Sequence, residues 1–267
     1  MRFQSKNTFV SRLFVPFALA TLAAAIHWGT PIAHAEEWID PSQSAVFNAE
    51  GWEELSDGNG IKTWGKQVPG SSIVAFRGEG ILDAPIAKAA QMLADTNRKA
   101  EWIHKCAEAK NIKTFSELDR IEYNRTLAPV IMKDRDFVYH AKVWLDMPKH
   151  QVRVLFKSIE TPEVPEYSHA VRGKLMESRY TLTSIDEGKR TRAMVEVHAD
   201  PAGAIPKWIV NLFQKSWPRN TLLGMQQQLM KPDVQEMALV KEFFEGKIKD
   251  APYVMSPEWL GAHPIVR

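Results

Sequence analysis

The sequence predicts an α+β protein in which one antiparallel sheet packs around a long amphipathic helix near the C-terminus. Between residues 107 and 199, apolar and polar residues alternate with a period of two along successive segments. This alternation is typical of antiparallel strands with one face toward a core. After Asp200-Pro201, apolar residues recur at helical spacing from Ile205 to Phe213, which predicts the helix.

Composition and charge narrow the class of protein. The 267 residues are 45% hydrophobic and 25% charged, as in ordinary globular proteins. The net charge of +2, from 34 basic and 32 acidic residues, is too balanced for a dedicated nucleic-acid-binding protein. Cys106 is the single cysteine, so an intramolecular disulfide framework and a multi-cysteine zinc site are excluded.

The first 35 residues have the layout of a cleaved secretory signal peptide. Three basic residues precede an apolar, alanine-rich run over residues 13–26, and Ala33 and Ala35 place small residues ahead of Glu36. The alternative is a retained N-terminal anchor, although the run falls short of the roughly 20 residues that span a bilayer. We therefore expect export to the periplasm or secretion.

No linker or repeat divides the rest of the chain. We therefore predict one domain over residues 36–245, followed by a flexible tail over residues 246–267. The first half of the domain predicts a short helix that ends near Gly51–Leu55, then two strands, then two short helices after Asp83. The two strands are expected over residues 61–67 and 73–82. The second short helix is expected over residues 98–103.

Turn signals divide the second half of the domain into strands. Residues 148–150 and 186–188 predict hairpin turns. The odd-numbered positions of residues 121–127 and of residues 137–145 are expected to face the interior. Pro218 should kink or break the long helix, and another helix is expected over residues 234–244.

A sheet that packs around a helix encloses either a filled core or a ligand cavity, and the periodicity does not decide between them. The sequence has no hydrolase nucleophile elbow, no phosphate-binding P-loop and no dinucleotide glycine fingerprint. The pairs His104/Cys106 and His198/Asp200 could each supply two metal ligands, but a zinc site needs three or four. We therefore expect no cofactor and no metal.

Three segments, in order and suitably spaced, resemble the START lipid-transfer domain. The first runs over residues 64–80 and precedes a short helix pair. The second is the Asp-Arg-Asp-Phe-Val segment 134–138, with Arg172 downstream. The third and most specific is the Asp-Pro-Ala-Gly-Ala-Ile-Pro-Lys-Trp segment that opens the long helix at 200–208. The resemblance covers about residues 45–232.

This resemblance implies a helix-grip fold, in which a curved antiparallel sheet holds the C-terminal helix around an internal hydrophobic tunnel. It implies that the tunnel binds one lipid or other hydrophobic molecule and that the protein transfers it without catalysis. We expect a monomer that contacts membrane surfaces transiently. The residues expected to contact the ligand are Tyr123, Arg125, Tyr139, Ala141, Val143, Arg172, Trp208 and Leu212.

The loop Pro129-Val130-Ile131-Met132 is expected to gate the tunnel, because the resemblance assigns release to the loop before the Arg-Asp-Phe strand and to the C-terminal helix. Its apolar side chains would suit contact with a membrane surface. The alternative is that these residues pack under the helix.

One position departs from the family pattern. Many lipid-binding relatives carry a buried acid on the strand before the gate loop and an arginine on the strand after it. Aligned without gaps, these positions are Arg125 and Ala141. A lone inward arginine is costly unless something neutralises it. A protein carboxylate or an anionic ligand group could do so; otherwise Arg125 faces solvent in a different register.

Two other functions stay open at this point. An aromatase/cyclase-like enzyme on the same fold would need an acid–base cluster inside the tunnel, for which the predicted inward residues offer Tyr123, Arg125 and Tyr139. An interaction protein with a filled core would hold no ligand.

We predict cleavage after Ala35, because the basic start, the apolar run and the small residues at 33 and 35 match what a signal peptidase reads. N-terminal sequencing of protein from the cell envelope or the medium should begin at Glu36-Glu37-Trp38. Full-length protein held tightly in the membrane fraction would contradict this prediction.

Overall fold

The described part of the chain contains ten strands and three α-helices. The structure is a computed structural model that describes residue 44 and residues 46–128 and 132–248, all of which belong to one compact unit. The strands are β1 (Glu53–Gly58), β2 (Ile61–Gln67), β3 (Val74–Leu82), β4 (Cys106–Ser116), β5 (Asp119–Thr126), β6 (Asp134–Asp146), β7 (Gln151–Ser158), β8 (Ala170–Arg172), β9 (Lys174–Ile185) and β10 (Arg190–Asp200). The helices are α1 (Ile86–Ala94), α2 (Lys207–Leu229) and α3 (Ala238–Phe244), and a 3₁₀ segment covers Thr96–Glu101.

The strands form one sheet that is antiparallel except where β8 meets β6. Their order across the sheet is β1-β2-β3-β10-β9-β7-β6-β5-β4, and the three-residue β8 runs parallel to the start of β6. The predicted turns at 148–150 and 186–188 lie between β6 and β7 and between β9 and β10. The predicted antiparallel sheet with accompanying helices is confirmed, and this arrangement is consistent with a helix-grip fold.

The main core lies between one face of the sheet and the three helices. Its deeply buried members include Leu82, Leu93, Leu182, Leu222 and Val240, each no more than 1% exposed. Burying a large aliphatic side chain contributes roughly 1.5–3 kcal/mol. This face of the sheet therefore holds α1, α2 and α3 in place.

The register between β5 and β6 corrects one expectation from the sequence. Tyr123 pairs with Val138, and Glu122 pairs with Tyr139. Residues directly opposite each other in an antiparallel pair point to the same face, so the odd positions of β6 share a face with the even positions of β5. The predicted interior face was right for β6 and wrong for β5, because two odd-numbered faces cannot coincide in this register.

The predicted helix ending near Gly51–Leu55 is also wrong. β1 occupies this region and pairs with β2. Asn59 and Gly60, between the two strands, have φ values of 55° and 69°, as a two-residue type I′ hairpin turn requires. Because β1 is largely exposed, burial imposes no apolar alternation on its sequence.

Two expectations about the helices differ from the structure. α2 does not break at Pro218 but continues through it; the proline ring lies against Gly78 of β3, so packing on the sheet supports the helix there. The helix expected over residues 234–244 forms in its second part alone, as α3. The backbone N–H of Met237 donates to the carbonyl oxygen of Ala87 at 3.0 Å, which ties the preceding segment to α1.

Several sequence predictions concern residues outside the described part of the chain. These are the signal segment 1–35, the gate residues Pro129, Val130 and Ile131, and the tail beyond residue 248. They stay predictions. In the part of the chain that the structure describes, no helix combines the length and the apolar character needed to cross a bilayer.

Gly224 determines how closely α2 approaches Trp102, which directly follows the 3₁₀ segment. A β-carbon at this position would lie 2.0 Å from the carbonyl oxygen of Trp102, which is far inside van der Waals contact. The contacting atom belongs to the backbone and cannot rotate away, so glycine is required for this approach. The contact holds Trp102 beside the helix.

Replacing Gly224 with alanine should lower the free energy of unfolding by about 2 kcal/mol or more, although alanine normally stabilises an exposed helix interior by roughly 1 kcal/mol relative to glycine. Urea unfolding followed by circular dichroism measures the difference. Lys215→Ala, at an exposed position of the same helix, is the control and should change stability by less than about 0.5 kcal/mol. A Gly224→Ala protein more stable than wild type would contradict the contact.

Candidate functional site

A cavity of about 430 Å³ lies between the sheet and the first half of α2. Its wall is formed by side chains from β5, β6, β7, β9, β10 and α2 and by residues 102–105. The aromatic members of the wall are Trp102, Phe137, Tyr139, Phe156, Tyr180 and Trp217. A mostly apolar wall with a few polar groups is typical of a site for a hydrophobic ligand.

The aromatic end of the cavity consists of Tyr139, Phe156, Tyr180 and Trp102, which contact one another edge to face. The ring centroids of Tyr139 and Phe156 are 5.5 Å apart at 82°, and those of Phe156 and Tyr180 are 5.5 Å apart at 74°. Trp102 meets Tyr180 at 6.3 Å and 83°. Each such pair contributes roughly 0.5–1.5 kcal/mol beyond its area burial, so this end of the wall is firmly held.

A buried ion cluster, the Glu122 cluster, lies against the aromatic end. Glu122 of β5 is 0% exposed and accepts hydrogen bonds from Lys99 Nζ, Arg120 Nε and Thr96 Oγ1. Tyr139 also hydrogen-bonds to this carboxylate. Lys99 is 1% exposed and lines the cavity. The cluster therefore joins the cavity wall to the 3₁₀ segment and to β5.

The charges of this cluster follow from its surroundings. Burial alone would raise the pKa of the Glu122 carboxyl, but Lys99 and Arg120 outweigh burial and hold that pKa well below its ordinary value. Burial raises the pKa of Tyr139, and Glu122 adds to the effect. Burial likewise raises the pKa of Tyr180. Near neutral pH the carboxylate is ionised and both phenols are protonated.

The predicted ligand contacts on β6 divide between the cavity and the core. Tyr139 lines the cavity, and so does Met132 of the predicted gate. Ala141 and Val143 lie on the same face of β6 but belong to the packed core beyond the cavity. Enlarging either of these two side chains would therefore overpack the core and would not fill the cavity.

Trp208 and Leu212 lie in α2, and their side chains fall outside the described part of the structure. Their helix neighbours Ile209 and Val210 line the cavity. The predicted role of α2 in covering the ligand therefore rests on these neighbours.

Three predicted ligand contacts, Tyr123, Arg125 and Arg172, do not line the cavity. The expected inward orientation of Arg125 is wrong, because its guanidinium binds Asp134 at 2.6 Å and Glu108 at 3.5 Å. Arg172 on β8 binds Asp136 through Nε at 3.0 Å and Nη2 at 3.2 Å. Both arginines are thus paired with carboxylates of the protein.

The sequence analysis placed Arg125 where many relatives carry a buried acid, but the structure has a buried acid on this strand at Glu122, three residues earlier. The sequence analysis missed it because it assigned the odd positions of β5 to the interior. The signal was present in the alternation, since Glu122 and Asn124 share a face. Lys99 gave no signal, because it lies among charged residues in a short segment without periodicity.

The two candidate metal-ligand pairs have other partners. Cys106 Sγ accepts a hydrogen bond from Asn124 Nδ2 at 2.9 Å, and His198 Nε2 lies 3.2 Å from Ser71 Oγ. Among residues 46–128 and 132–248, no group of three or more histidine, cysteine, aspartate or glutamate side chains is placed to hold a metal ion.

Comparison with protein families gives a match to the START domain over residues 40–220. The uncharacterized protein PA1579 of Pseudomonas aeruginosa is 29% identical over 178 residues, which cover 67% of this chain and 86% of that protein. The phosphatidylcholine transfer protein of Bos taurus is 26% identical over 187 residues, covering 68% of this chain and 86% of its own.

Solved structures share the fold. The crystal structure of a STAR-related lipid transfer protein from Xanthomonas axonopodis superposes with a TM-score of 0.61 at 26% identity, covering 68% of this chain and 100% of that one. Human StAR-related lipid transfer protein 5 gives a TM-score of 0.61 at 17% identity, covering 68% and 88%. At that identity, the second match shows the fold alone.

Replacing Glu122 with glutamine should lower the free energy of unfolding at pH 7 by about 3–5 kcal/mol, because it leaves Lys99 and Arg120 buried without a carboxylate. The pKa of Glu122 is lower in the folded than in the unfolded protein, so its contribution is complete above roughly pH 4.3 and is lost as pH falls toward the folded value. Urea unfolding at pH 7 and at lower pH should therefore show the difference from wild type shrinking in acid.

The control for this measurement is Glu108→Gln, which removes a partly exposed partner of Arg125. It should cost less than about 1 kcal/mol. An equally small loss for Glu122→Gln would show that the Glu122 cluster contributes little to stability.

Proposed function

The chain belongs to the START domain family, and on that premise we propose that it binds one lipid or other hydrophobic molecule in its cavity and transfers it between membranes without catalysis. The observation that carries the proposal is the cavity of about 430 Å³ with a largely aromatic and aliphatic wall. Each methylene that leaves water for such a wall gains roughly 0.8 kcal/mol. Shielding the molecule from water is therefore sufficient for the activity.

The relatives support this proposal in their names. The bovine relative is a phosphatidylcholine transfer protein, and the structural relative from Xanthomonas axonopodis is a STAR-related lipid transfer protein. In this chain we propose that the ligand contacts Tyr139 and Met132. In a helix-grip tunnel it would also contact Trp208 and Leu212 of α2. The protein would act as a monomer after export.

Ligand exchange is proposed to occur at the loop that joins β5 to β6. Leu127, at one end of this loop, lines the cavity and is 48% exposed, and Met132 lines the cavity at the other end. An exposed leucine that also borders the interior can contact acyl chains at a membrane surface. The residues between, Pro129, Val130 and Ile131, are proposed to complete this gate.

The chemistry of the polar groups at the cavity favours binding over catalysis. Glu122 is held ionised by two cations and receives four donors. A carboxylate whose pKa lies well below neutrality is a weak general base. The pKa of the Tyr139 hydroxyl is raised well above its ordinary value, so this phenol is a weak acid. We therefore propose that the Glu122 cluster holds the fold and takes no part in a reaction.

The test uses a variant that reduces the cavity. Ala199 lines the cavity on β10, and Ala199→Phe should place a ring inside it. Wild-type protein incubated with vesicles of phosphatidylethanolamine and phosphatidylglycerol should retain one lipid per chain in native mass spectrometry. The variant should show a loss of affinity of about ten-fold or more, equivalent to about 1.4 kcal/mol.

Ala238→Phe, at an exposed position of α3, is the matched control and should bind as wild type does. Circular dichroism verifies that both variants are folded. A folded Ala199→Phe protein with unchanged lipid uptake, or a wild-type protein that retains no hydrophobic molecule of any kind, would contradict the proposed function.

A further inference from the structure

Arg135, the second residue of β6, is a buried cation at the cavity. It is 8% exposed and lines the cavity from the start of β6. Its guanidinium donates to the carbonyl oxygens of Pro201 at 3.2 Å, Ala202 at 3.5 Å and Lys133. These contacts fix the side chain between Lys133 and the segment that leads into α2.

No carboxylate pairs with Arg135 in the part of the chain that the structure describes. The two neighbouring acids are engaged elsewhere. Asp134 binds Arg125 at 2.6 Å and accepts the backbone N–H of Ala128 at 3.1 Å, and Asp136 binds Arg172 through both oxygens. Burial accordingly lowers the pKa of Arg135, with Asp134 opposing the shift. The guanidinium thus contacts carbonyl oxygens, and Arg135 itself belongs to the cavity wall.

The charged side chains that line the cavity are all cationic. Lys99, Lys105 and Arg135 belong to the wall, whereas no aspartate or glutamate among the described residues does. The buried acid at the aromatic end, Glu122, is already matched by Lys99 and Arg120. α2 also begins beside this end of the cavity with no acidic residue in its first turn, so the partial positive charge of its N-terminus is uncompensated by its own sequence.

We propose that Arg135 binds the anionic group, a carboxylate or a phosphate, of the hydrophobic molecule that occupies the cavity. A buried cation without a carboxylate is costly, and an anionic oxygen pair is the partner that a guanidinium holds most strongly. Phe137, Ile205 and Ile209 line the cavity next to it and would receive the start of the apolar chain. The inference rests on the proposed function and specifies its ligand class.

The experiment compares ligands that differ in charge at equal chain length. Oleate and oleyl alcohol form one pair, phosphatidic acid and diacylglycerol form the other, and inorganic phosphate is offered alone. Binding is measured with wild-type protein freed of lipid. Each anionic member should bind at least ten-fold more tightly than its neutral partner, and phosphate alone should not compete at millimolar concentration. The carboxylate and phosphate pairs distinguish the two sources of the anion.

Arg135→Gln should remove this preference, so that the affinity ratio of each anionic member to its neutral partner falls to about one. Arg125→Gln is the matched control, since it removes a guanidinium ten residues away that is paired outside the cavity, and it should keep the preference. Arg135→Lys preserves the positive charge but not the planar guanidinium, and it should retain part of the preference. This variant tests the inference if the Arg135→Gln protein does not fold.

Two results would overturn the inference: equal binding of anionic and neutral members by wild type, and an unchanged preference in folded Arg135→Gln. In the second case, loss of the preference in Lys99→Met would assign the anionic group to Lys99 instead. In each of these cases hydrophobic molecules still bind, so the proposed function stands. Failure of every ligand to bind would instead remove the proposed function.

Discussion

The pairing of one buried carboxylate with two cations is the constraint on which the cavity depends. Glu122 accepts from Lys99 of the 3₁₀ segment and from Arg120 of its own strand, and Tyr139 of β6 hydrogen-bonds to it as well. Three parts of the chain that are distant in sequence therefore meet at a single charge. A buried charge without a partner costs far more free energy than a lost apolar contact. This arrangement therefore fixes the position of the aromatic end of the cavity more narrowly than apolar packing alone would.

Sequence reasoning recovered the sheet, its turns and the interior face of β6, because alternation records which side of a strand is buried. It could not assign the interior face of β5, since alternation has the same form in either phase and the charged residue belonged inside. The pairing of Glu122 with Tyr139 decides the phase, and register is a property of two strands. β1 escaped detection for a different reason: it is an exposed edge strand, although the Asn59-Gly60 pair is a known hairpin signal.

The site was harder to predict than the fold because similar side chains serve opposite purposes within one short segment. Arg125 and Arg135 lie on adjacent strands, and the sequence alone favoured the first as the inward cation. In the structure Arg125 has two carboxylate partners, whereas Arg135 has backbone carbonyls. The difference arises from the loop before α2, whose carbonyl oxygens reach Arg135 only through the fold, so the sequence around Arg135 does not reveal the contact.

The two halves of α2 make different contacts with the rest of the structure. Its second half is clamped, with Leu222 and Met225 fully buried and Gly224 pressed against the backbone of Trp102. Its first half covers the cavity. Pro218 lies between the two halves, and a proline removes one intrahelical hydrogen bond at its position. Bending the helix near Pro218 would therefore open the cavity only if the hydrogen bonds of its first half to the sheet, from Val74 N–H to Asn211 Oδ1 and from Gln214 Nε2 to the Ala199 carbonyl oxygen, also broke.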